Sequence, residues 1–174
     1  MKRLLGIIAA AAAGCSSSPP PTSTLPPIEP GRPLMKAPAF DLASLDASRV
    51  RLSDLEGKVT VLYLWSLTRE CESDLKLLQA LYEKHRGEEI NFVGLAWNSG
   101  DRSEVAKVMQ DWGVTFTTLM CNSQVLADYG VATFPTVFLL NRAGQIRYWQ
   151  YGILEGEGWD RIIEEALAEG GLAP

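Results

Sequence analysis

Short, densely apolar runs alternate with longer amphipathic stretches along this chain. Val59 to Trp65 reads VTVLYLW, with apolar, β-branched and aromatic residues in near-unbroken succession. That pattern predicts a strand buried on both faces. Ile90 to Trp97 (INFVGLAW) predicts a second. Between them, Glu70 to Arg86 carries Leu75, Leu78 and Tyr82 at helical spacing, with Leu77 and Leu81 beside them. This is a helix with a broad apolar face. Ser103 is placed to cap a helix running to Trp112, which Gly113 ends. Thr115 to Met120 reads as a short strand, and Val125 to Tyr129 as a short helix stopped by Gly130. Thr136 to Leu140 and Gln145 to Tyr151 form a hairpin through Asn141-Arg142-Ala143-Gly144. Val50 to Leu55 predicts a strand and turn ahead of these elements, and Gly158 to Glu169 a closing helix.

Strands separated by helices imply parallel neighbours, whereas the last hairpin must be antiparallel. The expected class is therefore α/β, a mixed central β-sheet flanked by helices.

The first residues follow another pattern. Lys2 and Arg3 precede an apolar run from Leu4 to Ala13, which reads as a secretory signal peptide over residues 1–14. The run is far shorter than the ~20 residues of a membrane-spanning helix. Ala12-Ala13-Gly14-Cys15 resembles the lipobox of bacterial lipoproteins. The resemblance implies cleavage before Cys15 and lipid on its sulfur. Ser16 after the cysteine implies the outer membrane, where the host has one. Residues 15–35 are rich in Pro, Ser and Thr and read as a linker. At ~3.1 Å per residue it reaches up to ~60 Å. The folded domain is expected over residues 36–172. The 174-residue chain carries a net charge of −5, and no basic patch follows Lys2 and Arg3, so nucleic acid is not an expected partner.

Five segments of the domain resemble one family in order. They are Ala37-Pro38-Ala39-Phe40, Leu52 to Lys58 (LSDLEGK), Tyr63-Leu64-Trp65-Ser66, Asp128-Tyr129-Gly130-Val131 and Phe134 to Leu140 (FPTVFLL). The chain resembles the TlpA/ResA branch of thioredoxin-like thiol-disulfide oxidoreductases, near the redoxin and AhpC/TSA-related peroxiredoxin groups. The resemblance implies a thioredoxin-like fold with a TlpA-type helix-strand insert. It also implies a cis bond between Phe134 and Pro135, in a loop that, with Trp65, forms a groove for substrate or partner.

The family's Trp-Cys-x-x-Cys turn departs here to Trp65-Ser66-Leu67-Thr68-Arg69-Glu70-Cys71. Counting back from Asp74-Leu75 places Cys71 at the second cysteine and Thr68 at the first; counting forward from Trp65 places Arg69 there. Either way the first cysteine is absent. A thiol in the first turn of a helix meets unpaired N–H groups and the positive end of the dipole, which favour the reactive thiolate. Arg69 adds to this, and Glu70 and Glu72 oppose it. Thr68-x-x-Cys71 also resembles the peroxiredoxin Thr-x-x-Cys site, although Leu64 stands where that motif opens with proline.

Cys121 is the second candidate thiol. The predicted sheet puts it two strand spacings from Cys71, ~10 Å. A disulfide wants Cα atoms within about 7 Å, so the pair is expected to be reduced. His85, the one histidine, is expected to be solvated at the end of its helix. No zinc spacing is present, and no metal or cofactor is expected.

These readings converge on a thioredoxin-like protein of the cell envelope, facing the periplasm or exterior. Its expected chemistry is thiol-disulfide redox at Cys71, with Thr68 and Arg69 beside it. Its expected partners are protein or small-molecule thiols and disulfides, with peroxide an alternative, and an external reductant. The rival expectation is a binding or assembly module without redox chemistry.

Overall fold

The computed structural model describes residues 34–152 and 156–169. The expected signal peptide, the acylated Cys15 and nearly all of the linker lie outside the described residues. Strand β4 (Val59–Trp65) is buried throughout and forms the spine of the sheet. Helix α1 (Arg69–Lys84) follows it, then β5 (Ile90–Ala96), α2 (Arg102–Asp111), β6 (Thr117–Met120) and α3 (Ser123–Asp128). The hairpin β7 (Thr136–Leu140) and β8 (Gln145–Tyr151) leads to α4 (Gly156–Glu169). Three short strands come before β4: β1 (Met35–Lys36), β2 (Asp41–Ala43) and β3 (Arg49–Arg51). A 3-10 turn, Leu52–Leu55, follows β3, so the strand and turn expected at 50–55 fall on β3 and this turn.

The main sheet runs β1-β8-β7-β4-β5-β6, and β2-β3 forms a separate ribbon. β4 pairs parallel with β5 and antiparallel with β7, and β5 pairs parallel with β6. The core β8-β7-β4-β5 is extended by α2 and β6, the place of the expected insert. Met35, counted with the linker in the sequence, pairs with Ile146 of β8.

Alternation along β4 divides the interior in two. Val59, Val61, Tyr63 and Trp65 join one cluster with α1, α2 and α4. Leu62 and Leu64 join the other, with Phe40 and Leu42 of the amino-terminal segment and Val125 and Tyr129 around α3. Two crossovers running the same way across the sheet, β4-α1-β5 and β5-α2-β6, carry both helices to one face.

The solvated position expected for His85 is corrected. His85 is 3% exposed. Its Nδ1 lies 3.0 Å from Glu88 Oε2 and its Nε2 3.1 Å from Asp160 Oδ1. The helix end is covered by α4, and two carboxylates replace water at the ring.

Candidate functional site

The turn between β4 and α1 stands at the carboxyl edge of the sheet. Register pairs Leu64 with Thr136, so the loop before β7 reaches the same edge. The peptide Phe134-Pro135 in that loop is cis. Gly152 N–H donates to Pro135 O at 3.0 Å, and the Thr136 hydroxyl donates to Thr133 O at 2.7 Å. Phe134 is half-buried and Pro135 buried.

Thr68 is the N-cap of α1, in extended conformation at φ −131 and ψ 165. Its Oγ1 accepts from Cys71 N–H at 3.3 Å, and its carbonyl accepts from Glu72 N–H at 3.1 Å. Thr68 N–H in turn donates to Ser66 O at 2.8 Å. Thr68, not Arg69, occupies the cap three residues ahead of Cys71. Arg69 is exposed, with no ion pair among the described residues. Glu70 is exposed, and Glu72 pairs with Lys76 at 2.6 Å.

Cys71 is 0% exposed and belongs to the core cluster beneath the turn. A substrate sulfur therefore reaches it only when the packing around it opens. Trp65 is also 0% exposed, so it does not line a surface groove. Its indole lies over Gly94, where a Cβ would come within 3.3 Å of Nε1, and packs on Trp112 with ring centroids 5.9 Å apart. The expectation that Trp65 lines the groove is corrected for this reason. The apolar side chain the turn does present is Leu67, 53% exposed.

Two further buried side chains surround the sulfur, and the sequence reading missed both. Asp74 and Tyr63 are each 1% exposed, and the Tyr63 hydroxyl donates to Asp74 Oδ2 at 3.1 Å. Tyr63 belongs to the same core cluster as Cys71. Burial, then the charges of Asp74 and Cys71, push its phenol well above the usual range. The available signal was a carboxyl three residues past Cys71 on the apolar face, and a tyrosine inside a wholly buried strand. Both need partners there.

Cys121 lies half-buried against the opposite cluster. Its N–H donates to Ala96 O at 2.9 Å, and its Sγ contacts Asn122 O at 3.6 Å. Burial pushes its thiol up to about 11. Cys71 and Cys121 thus occupy opposite faces of the sheet, and both are free. The separation is more complete than two strand spacings implied, because the sheet itself stands between the sulfurs. Among the described residues no cluster of His, Cys, Asp and Glu could hold a metal ion.

Comparison with known proteins agrees with the geometry. The family model described as AhpC/TSA matches residues 33–149. The thiol-disulfide oxidoreductase ResA of Geobacillus kaustophilus is 33% identical over 133 residues, covering 74% of each chain. The ResA protein of Bacillus subtilis is 31% identical over 113 residues, covering 63% of this chain and 62% of that relative. A thiol:disulfide interchange protein of Chlorobium tepidum superposes with a TM-score of 0.70 at 20% identity, over 78% of this chain and 97% of that one. A secreted thiol-disulfide isomerase of Corynebacterium glutamicum gives 0.68 at 18% identity, over 78% and 86%. These two likenesses establish the thioredoxin-like fold. The family match and the Geobacillus relative establish descent: this chain belongs to the AhpC/TSA family, as a thioredoxin-like member related to the ResA thiol-disulfide oxidoreductases.

Proposed function

We propose that this protein is an extracytoplasmic thioredoxin-like oxidoreductase, tethered through a lipidated Cys15, that performs thiol-disulfide exchange at Cys71 alone. The observation that carries the reading is the sulfur itself, in the first turn of α1, behind an N-cap and at the sheet edge that also holds Phe134-Pro135. Kinship with the ResA proteins supports the reaction class and a place outside the cytoplasm. The proposed step begins when the turn 66–70 lifts. The Cys71 thiolate attacks one sulfur of a partner disulfide. A new S–S bond forms to Cys71, the old one breaks, and the second partner sulfur leaves as a thiolate. With no resolving cysteine nearby, an external thiol then attacks the mixed disulfide, takes the partner half and restores Cys71. A further external thiol, oxidised in turn, completes the two-electron reduction.

Burial of Cys71 favours one rival, a module that holds an extended segment against the backbone of Phe134 by strand addition and does no redox chemistry. A peroxidatic Cys71 needs space for peroxide at a sulfur that has no exposed surface, so it ranks below both.

Incubating the folded full chain with oxidised glutathione, then locating adducts by peptide mass spectrometry, separates the readings. The redox reading expects glutathione on Cys71, removable by added thiol. Adducts confined to other positions leave the binding module. The amino-terminal peptide from the membrane fraction should carry acyl chains on Cys15; an unmodified thiol there removes the tether.

A further inference from the structure

A polar atom sealed away from water costs stability unless it finds a hydrogen-bond partner, and buried polar atoms almost always have one. Among the described residues, the buried side-chain atoms without a partner are Trp65 Nε1, Thr118 Oγ1, Arg142 Nε and Arg147 Nε. Each arginine still bonds through another guanidinium nitrogen, Arg142 to Gly57 O and Arg147 to Glu169. Trp65 and Thr118 have no second side-chain polar atom, and their two orphans meet at one place.

That place is Gly94 of β5. Gly94 stands in register with Tyr63 of β4 on one side and Thr118 of β6 on the other. Trp65 is anchored at the end of β4, where Trp97 N–H donates to its carbonyl at 2.8 Å, and its indole leans back over Gly94. A Cβ at Gly94 would lie 3.2 Å from Thr118 Oγ1, 3.3 Å from Trp65 Nε1 and 3.4 Å from the Phe116 ring. An obligate donor and a hydroxyl therefore face one spot from the two flanking strands without bonding each other.

We propose that this spot above Gly94 binds a single water molecule. The water accepts from Trp65 Nε1–H and donates to Thr118 Oγ1, so one molecule satisfies both orphans. Two partners suffice, because buried waters make about 2–4 such bonds. A bond through water is nearly as good as a direct one. Glycine suits the floor of the site, since any side chain there would crowd the same two polar atoms. The bridge ties β4 to β6 across β5, at the last residue before the turn that leads to Cys71. It stands whether or not Cys71 reacts.

The test is nuclear magnetic resonance of the folded full chain, with the Trp65 indole N–H assigned. Its proton should show a cross-peak to water of opposite sign in NOE and ROE spectra, the mark of direct contact. Absence of the peak, or one sign in both spectra, overturns the site. Gly94→Ala should expel the water and abolish the peak. A peak that persists there comes from the Thr118 hydroxyl and overturns the site as well. Thr118→Val keeps the shape of the side chain and gives the second readout. Loss of the water's acceptor should lower the midpoint of thermal unfolding. A dry, unpaired hydroxyl predicts an unchanged or raised midpoint, because an orphan has been removed; that result overturns the proposal.

Discussion

Thr68 and Cys71 are three residues apart, and the start of α1 makes them neighbours through one hydrogen bond. Thr68→Ala removes the cap, and thermal unfolding should report a loss of about 1 kcal/mol. Thr68→Cys is the more informative change. It restores the Cys-x-x-Cys spacing at a helix start, so the oxidised variant should hold a 68–71 disulfide, detected by intact mass before and after reduction. A variant that stays in the dithiol form under oxidant would contradict the placement of Thr68. Cys121 behaves differently. Burial raises its thiol to about 11, which disfavours the thiolate at neutral pH. Its alkylation rate should climb about tenfold per pH unit from neutrality and level off only near that value, followed by mass spectrometry of its peptide. A plateau near pH ~8.5, the range of an unperturbed thiol, would contradict the buried environment.

Elements are held in place by a few contacts of long sequence separation. Gly94 lets the Trp65 indole lie against β5. A Cβ there meets Thr118 Oγ1 at 3.2 Å, Trp65 Nε1 at 3.3 Å and Phe116 at 3.4 Å. Gly94→Ala should therefore cost about 1–3 kcal/mol, the range for overpacking, in denaturant unfolding. At the other end of the molecule, Asp160 at the start of α4 receives Lys84 and His85 from the end of α1. The Lys84 hydrogen bond, and after it that of His85, hold the Asp160 carboxyl below its usual value against a desolvation that acts the other way. A carboxyl lowered in the fold stabilises the protein above its unfolded value of about 3.9, and that contribution is lost as the pH falls through the folded value. Asp160→Asn should thus flatten the acid limb of a stability-pH curve. An acid limb identical to the parent's would show that α4 is not secured this way.

At the scale of the whole molecule, the opposite placement of Cys71 and Cys121 predicts that mild oxidation of the folded protein yields no bond between them. Much of this architecture is legible in the sequence. β4, β5 and α1 are read from unbroken apolar runs and a helical stripe, and the parallel order β4-β5-β6 from the rule that helices join parallel strands. β1 and β2 are not legible, because two or three residues carry no periodicity, and the partner of β1 is the distant β8. His85 is misread for the same reason. Asp160 lies 75 positions away, and only packing of α4 reveals it. The site is legible as far as its helix start, with Thr68 and Cys71 at the right spacing. Burial of the sulfur and of the Tyr63–Asp74 hydrogen bond follows from tertiary packing.

Exchange at Cys71 requires that the turn open while the rest of the fold stays intact. Regions that open locally do so at a smaller free-energy cost than global unfolding, and expose less surface. The most direct test is the rate of Cys71 alkylation as a function of denaturant below the unfolding transition. Local opening predicts a rate nearly independent of denaturant there, rising only as global unfolding takes over. A rate that tracks the global unfolding equilibrium from zero denaturant upward, with its full slope, would mean that this sulfur meets solvent only when the fold is gone.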